Sequence, residues 1–332
     1  MSNRAAPLLA GDIGGTKTRL ALFQIDGTQQ HCLGGREYAS REHDSLDTLI
    51  ADFTQRYPAQ PAAACFGIAG PVRNNRVAVT NLPWEISAAE LGQRLRIDRV
   101  ALLNDLEATG WGIASLEADD FHTLNLGTAD PAGNAAIIAA GTGLGEAGLY
   151  YDGDRHRPFA TEGGHTDFSP ADDTEIALLQ FLQRQHRHVS WERLLSGPGL
   201  VQIHAFLSHT RQQDIPDWLQ QQHEEGDPAA AIASRAGDDP VCQDALQLFT
   251  RLYGAEAGNL ALKTLATGGL YLGGGIAPKL LDQLDAGNFM DAFCAKGRMR
   301  PLLESLPVQV ILNDRAALYG AADCAAALAA NP

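Results

Sequence analysis

The sequence predicts an α/β protein of two lobes, each a mixed sheet flanked by helices. Three observations carry this expectation. Residues 8–22 are two short apolar runs joined by the turn Gly14-Gly15-Thr16, a pattern that folds as a β-hairpin. The pattern returns at residues 136–150, where Gly141-Thr142-Gly143 separates two further apolar runs. Such internal repetition points to a duplicated architecture with a ligand held between lobes. The chain has 332 residues, enough for two cores, and a meander, an amphipathic segment and an apolar strand follow the first hairpin. That is the order in which helices cover a mixed sheet.

The turns carry the first chemical expectation. Gly14 and Gly15 can take the positive φ of a tight hairpin, and a glycine turn exposes backbone N–H groups with no Cβ to keep an anion away. Asp12, just ahead of the turn, would repel bare phosphate but can hold water around Mg²⁺. A carboxylate beside a phosphate cradle therefore points to a metal–nucleotide complex. Two other glycine motifs fail on context. Gly143-Leu-Gly145-Glu-Ala-Gly148 runs into a strand and turn rather than a helix, and Thr16-Lys17-Thr18 lacks both the glycine before Lys17 and the helix of a P-loop.

Composition narrows the class. A net charge of −15 argues against nucleic acid as a partner, because that binding depends on Lys and Arg. Five scattered cysteines with no C-x-x-C pair read as reduced thiols, neither disulfide framework nor zinc site. No leader is read before Leu8 and no apolar run approaches membrane-spanning length, so a cytoplasmic protein without a membrane partner is expected.

Further along, residues 45–53 have apolar spacing of a helix with Ser45 as N-cap, residues 62–69 read as a buried strand, and Asn74-Asn75 marks a hairpin turn. The strand at 100–103 delivers Asn104-Asp105 at its carboxyl end, where ligands of α/β sheets collect. Asp105 has two readings there, a functional carboxylate or the cap of the following helix. Glu162 and His165 lie in a loop whose two central glycines speak against a helical E-x-x-H metal pair. Ser169-Pro170 is expected to open a helix whose core face is Ile176, Leu178, Leu179 and Leu182. Glu192 fits the first turn of another helix, where the dipole alone would favour it. Residues 212–236 read as a solvated helical face, and 241–265 as a long amphipathic helix. Gly273-Gly274-Gly275 lets a flat ring or phosphate approach the backbone, and Asp314 is expected to cap the last helix.

With these residues assembled, the sequence resembles the bacterial glucokinases that lack a structural zinc, within the hexokinase/actin-like ATPase superfamily. GDIGGTKTRLAL, TNLPW, LLNDLEA, GTGLGEA, EGGHTDF, VSWERLLSGPGL and YLGGGIAP occur in that family's order, nearly end to end. The related repressor/sugar-kinase family carries a cysteine-rich zinc motif downstream of the histidine, which this sequence lacks. The resemblance implies a two-lobed actin-like ATPase (ribonuclease H-like) fold, with residues 1–115 and 308–332 in a small lobe, 116–307 in a large lobe, and the active-site cleft between them. It implies phosphorylation of glucose at the 6-hydroxyl by ATP with Mg²⁺ and no zinc. Asp105 would accept the hydroxyl proton, and Asn81 and Asn104 would line the sugar pocket. Glu162, His165 and Glu192 would bind the anomeric end of the ring. Asp12, Gly14, Gly15, Thr16, Gly141, Thr142 and Gly143 would hold the ATP phosphates and their metal, and the Gly273–Gly275 turn would face adenosine. A homodimer is the expected assembly. Lys17 departs from the Asn found in many members and is expected to face solvent. A kinase for another hexose or amino sugar, or a sugar sensor, is the alternative.

Overall fold

In the computed structural model, residues 6–26 and 29–330 are described. What precedes the first strand, on which an expectation was stated, lies mostly in residues 1–5, outside them. The strands are β1 Leu8–Ile13, β2 Lys17–Asp26, β3 Gln29–Ala39, β4 Ala63–Ile68, β5 Arg76–Ala78, β6 Glu85–Ser87, β7 Val100–Asn104, β8 Phe121–Asn125, β9 Ala135–Ala140, β10 Leu144–Tyr151, β11 His156–Ala160, β12 Gly269–Gly273 and β13 Val308–Ile311. The chain divides into two compact units. One holds the chain up to Asp120, His156–Ala160 and the chain from Asn313 onward; the other holds Phe121–Arg155 and Thr161–Leu312. β13 therefore groups with the second unit, whereas the sequence expectation drew its boundaries at 115/116 and 307/308.

The sheet of the first unit has the order β3-β2-β1-β4-β7, with β1, β4 and β7 parallel and the β1–β2–β3 meander antiparallel. Both faces are covered, so successive residues of β1 belong to different cores. Leu9 and Ile13 pack with Leu46, Leu49, Ile50 and Phe53 of helix Leu46–Arg56. Leu8 and Ala10 pack with Leu318, Ala321 and Ala325 of helix Ala316–Ala330. The same terminal helix lies against helix Asp105–Gly112 so closely that a Cβ on Gly112 would meet the Ala316 carbonyl, and one on Gly320 the Ala108 carbonyl. This close crossing fixes the helix that begins at Asp105.

The second unit repeats the plan. β10 is antiparallel to β9, and β9, β12 and β13 are parallel, with β8 antiparallel at the far edge. Its core is organised around the 25-residue helix Pro240–Thr264, capped by Asp239, whose carboxylate accepts the Val241 and Cys242 N–H groups at 2.8 and 3.2 Å.

Several local expectations change. Neither Gly14 nor Gly15 has a positive φ; the turn closes through the Gly14 N–H to the Lys17 carbonyl at 2.9 Å instead. Asn74 and Asn75 do have φ of 52° and 54°, the paired left-handed geometry of a tight hairpin turn. The helix expected at Ser169-Pro170 starts at Asp173, because the Asp172 carboxylate accepts the Glu175 N–H at 2.9 Å and sets the cap there. Ile176 is 43 % exposed and no part of the core. The last helix begins at Ala316, and Asp314 has a different partner, described below. No helix of the described residues is long and apolar enough to cross a membrane.

Candidate active site

Strand register decides where the polar residues of the first unit emerge. Asp12 pairs with Gly67 and Gly67 with Leu103, while Ile13 pairs with Ile68 and Ile68 with Asn104. Asp12 and the Asn104-Asp105 pair thus leave the same end of the sheet, two strands apart, at the carboxyl ends of parallel strands. Asn104, not Asp105, caps the helix. Its Oδ1 accepts the Glu107 N–H at 2.6 Å, and Glu107 Oε2 accepts the Asn104 N–H at 3.0 Å, a complete capping box. With the cap supplied by its neighbour, the Asp105 carboxylate accepts the adjacent Leu106 N–H at 2.9 Å. Solvent reaches Asp105, yet the surrounding protein removes enough hydration to raise its carboxyl above the ordinary value, against the opposing pull of the Leu106 N–H.

Asp12 stands opposite Arg19 on β2, with Arg19 Nη1 3.9 Å from Asp12 Oδ2. Arg19 has nearer partners in Glu37 Oε2, 2.9 Å from Nε, and Asp314 Oδ2, 2.5 Å from Nη2. Burial pushes the Asp12 carboxyl up to about 6; Arg19 opposes this, while Asp105, Asp314 and Glu37 add to it. A desolvated carboxylate among other carboxylates gains from an added cation, so this position fits a nucleotide-borne Mg²⁺. Among the described residues no cluster of three or more His, Cys, Asp or Glu is placed to hold a metal by itself.

Ser40 secures the first turn. Its hydroxyl donates to the Gly14 carbonyl at 2.8 Å and its N–H to the Thr16 carbonyl at 2.9 Å. Among the described residues nothing accepts from the Gly15 or Thr16 N–H, which leaves two backbone donors for an anion. Asn81 lies beside this turn, its Cβ 3.5 Å from where a Cβ on Gly15 would stand, and holds a left-handed φ of 64°. Lys17 is 60 % exposed and pairs with Glu37 at 2.9 Å.

In the second unit the Gly141-Thr142-Gly143 turn closes through the Gly141 N–H to the Gly143 carbonyl at 2.8 Å. Register brings Gly273 alongside Ala139, so the triple glycine meets this turn at one end of the sheet. Gly274 has φ of 79°, and a Cβ there would strike the Ala140 backbone, so glycine is required. Gly141, Thr142, Gly275, Ile276 and Lys279 line a cavity of about 700 Å³ together with Gly197, Pro198, Val201, Asp227 and Ala230. Part of its wall comes from helix Pro228–Arg235, in the stretch that the sequence reading took for a plain solvated face.

Glu162, His165 and Glu192 also come together. The loop makes a single 3₁₀ turn, Gly163–His165, which places His165 Nε2 3.9 Å from Glu162 Oε2 and Nδ1 3.8 Å from Glu192 Oε1. Glu192 lies not in an α-helix but in a short 3₁₀ turn, Trp191–Arg193, and its Oε2 accepts the Leu144 N–H at 3.0 Å, beside Gly143. The three side chains, 60 %, 72 % and 33 % exposed for His165, Glu162 and Glu192, present donors and acceptors suited to neutral hydroxyls.

Sequence reasoning missed Arg19, Ser40 and the cavity wall at Asp227 and Ala230. The alternation of β2 hinted at Arg19, a charge in a strand whose neighbours Thr18 and Leu20 are fully buried. Nothing in the sequence separated Asp227 from other helix caps.

Two α/β units of one topology, each with a glycine-turn hairpin at its sheet end, define the class: a sugar kinase of the actin-like ATPase fold. The family model for glucokinase matches residues 9–328. The chain is 45 % identical to a glucokinase of Nostoc sp., over 97 % of this chain and 99 % of that one, and 42 % identical to one of Synechocystis sp., over 96 % and 97 %. A crystal structure of a glucokinase from an Antarctic psychrotroph is 29 % identical with a TM-score of 0.86, covering 97 % and 99 % of the two chains. A ROK-family glucokinase from Streptomyces griseus, solved with glucose and AMPPNP, shares the fold at 22 % identity and a TM-score of 0.63, over 97 % and 99 %. This chain belongs to the glucokinase family, whose reaction is the ATP-dependent phosphorylation of glucose.

Proposed function

We propose that Asp105 is the proton acceptor for the glucose 6-hydroxyl and that the remaining site residues divide between the two ends of the reaction. Transfer of a phosphoryl group passes through a loose transition state, so catalysis is chiefly in-line positioning and charge neutralisation. A carboxylate with a raised pKa is a better acceptor for a hydroxyl proton than one at the usual aspartate value. The observation that carries this reading is that Asn104 already caps the helix, which leaves Asp105 no structural task there. Asn104 and Asn81 are assigned to sugar hydroxyls, and Glu162, His165 and Glu192 to the anomeric end. The open N–H groups of the Gly14–Thr16 turn and the Gly141–Gly143 turn are assigned to the ATP phosphates, and the cavity beside Gly273–Gly275 to adenosine.

Mg²⁺ bound with ATP supplies charge neutralisation of the phosphates, and Asp12 is assigned to hold its waters. Water has to be kept from the phosphoryl group in this reading, so that the sugar hydroxyl and not water accepts it. A cytoplasmic homodimer without zinc is the proposed working form; the lack of a C-x-x-C pair in the sequence supports the last point. One tightly held zinc per chain in metal analysis would contradict it.

Asp105→Asn tests the central assignment. The amide is expected to lower kcat by about 10²–10⁴, the range for losing a positioned base, with a much smaller change in glucose affinity and in Tm. A well-folded variant that keeps more than about a tenth of the rate would overturn it.

A further inference from the structure

A second cavity, of about 300 Å³, adjoins the sugar loop, and the reaction described above does not use it. Its lining includes His165 and Glu192 and, beyond them, His186, Arg187, Ser190 and Arg193. The volume lies at the lower end of small-molecule sites. Backbone pairing holds the walls in fixed relation. Residues 166–168 run antiparallel to 189–191, through the Trp191 N–H to the Thr166 carbonyl at 3.1 Å and the Phe168 N–H to the Val189 carbonyl at 2.9 Å, with Asp167 opposite Ser190. His165 directly precedes this pairing, and the Arg193 N–H reaches back to the Ser190 carbonyl at 3.1 Å. Val189 and Trp191 anchor the strip in the core.

The charge of the cavity runs against that of the protein. In a chain of net charge −15, its lining carries two arginines and three histidines against one carboxylate. One of the histidines, His188, is engaged by Asp167, with Nε2 2.8 Å from Oδ1. Arg187 and Arg193 are exposed and have no ion pair or side-chain hydrogen bond among the described residues. Ser190, on the same wall, is 5 % exposed, yet its hydroxyl has no partner among the described residues. A buried hydroxyl is costly to leave unpaired. Two free guanidinium groups and a free hydroxyl around one cavity are the donor set of an oxyanion site, and the planar fork of arginine matches phosphate in particular.

We propose that this cavity is a phosphate subsite at the anomeric end of the sugar site, through which the protein binds hexoses phosphorylated on the anomeric oxygen; this rests on the reading of Glu162, His165 and Glu192 as contacts of that end. The ring keeps its place against Glu162 and His165, and the phosphate meets Arg187, Arg193 and the Ser190 hydroxyl. Glu192, the one acid of the lining, has its Oε2 turned to the Leu144 N–H at 3.0 Å, and the two arginines outweigh it. A neutral substituent on the same oxygen gains nothing from the arginines, so the subsite discriminates by charge. Glucose itself leaves the subsite empty, and its own affinity does not depend on them.

The test uses the full chain and α-glucose 1-phosphate as the probe, in initial-rate kinetics against glucose at saturating Mg·ATP, with formation of glucose 6-phosphate as the readout. Methyl α-glucoside and inorganic phosphate are the controls. Glucose 1-phosphate is expected to inhibit competitively with glucose. The double variant Arg187→Gln/Arg193→Gln should raise its inhibition constant about tenfold or more, the range for losing hydrogen bonds to a charged group, and leave the glucose KM within about twofold. Ser190→Ala should raise it by roughly twofold to tenfold, which keeps a readout if the double variant fails to fold. Absence of competition by glucose 1-phosphate, an unchanged inhibition constant in the folded double variant, or an equal response of methyl α-glucoside to that variant would overturn the subsite. Inhibition by inorganic phosphate alone, not competitive with glucose and lost in the double variant, would mark a separate anion site and overturn the link to the anomeric end. His165→Ala separates these failures from failure of the underlying reading: an unchanged glucose KM in that variant sinks the sugar-loop assignment itself.

Discussion

At the first hairpin, Asp12 faces Arg19 and feels Asp105, Asp314 and Glu37; at the second, the residues before the turn are Ala139 and Ala140, and a cavity opens beside them. The two hairpins have the same strand plan and different surroundings. Around the first, charges are concentrated and partly desolvated, which suits proton acceptance and a metal-borne phosphate. Around the second, the wall is mostly glycine, proline, alanine and aliphatic side chains, with Asp227 and Lys279 among them, which suits a flat ring held largely by shape. Glu146, buried on β10, sits behind the sugar loop with its carboxyl against Gly163. Repetition of a fold thus need not repeat its chemistry: the substitutions beside the turn decide which half handles charge.

The comparison breaks most visibly if the second hairpin can be blocked without consequence. Ala230→Trp fills part of the cavity and is expected to raise the KM for ATP by roughly 10–100-fold, the cost of overpacking a fitted space, with glucose KM unchanged. Initial-rate kinetics in both substrates check this. A smaller effect is expected at the sugar loop. His165→Ala should raise the glucose KM by roughly 5–100-fold, since unpaired polar groups in a sugar site cost about 1–3 kcal/mol each. Its nucleotide dissociation constant should stay within a few-fold, as direct titration would show.

The smallest effect is on stability and sharpens the electrostatic side. The raised Asp12 carboxyl favours the folded state below its unfolded pKa near 3.8, and that contribution disappears as pH rises through about 6. Asp12→Asn should therefore be level with the wild type near pH 4 and more stable above pH 7, by at most about 3 kcal/mol for two pKa units. Water reaching the 24 % exposed side chain reduces this figure. Melting temperatures across that range provide the check, and a variant less stable at pH 8 would contradict the sign.

Much of this was legible in the sequence where a local pattern and a physical requirement coincide. Both hairpins, the Asn104-Asp105 strand end and the convergence of Glu162 with His165 were of that kind. Misreadings arose where two local rules compete. Asp105 and Asn104 both suit a cap, and only the contact with Glu107 shows which of them caps. Asp314 looked like a cap because a helix follows, yet Arg19, 295 residues away in the chain, takes its carboxylate. Ser169-Pro170 was a good helix start outbid by Asp172, which sits nearer the first buried turn. Tertiary features such as the cavity wall at residues 227–233 and the packing of Glu146 on Gly163 leave no local trace, since each needs elements apart in the chain.

The claim that the first hairpin works through charge and the second through shape is tested most directly by titrating a non-hydrolysable ATP analogue with and without Mg²⁺. The account predicts that Mg²⁺ strengthens binding to the wild type by about tenfold or more through its water-mediated contact with Asp12, in line with hydrogen bonds to charged groups. In Asp12→Asn that enhancement should be lost, while in Ala230→Trp affinity should fall and the enhancement remain. A full Mg²⁺ enhancement in folded Asp12→Asn would contradict the account.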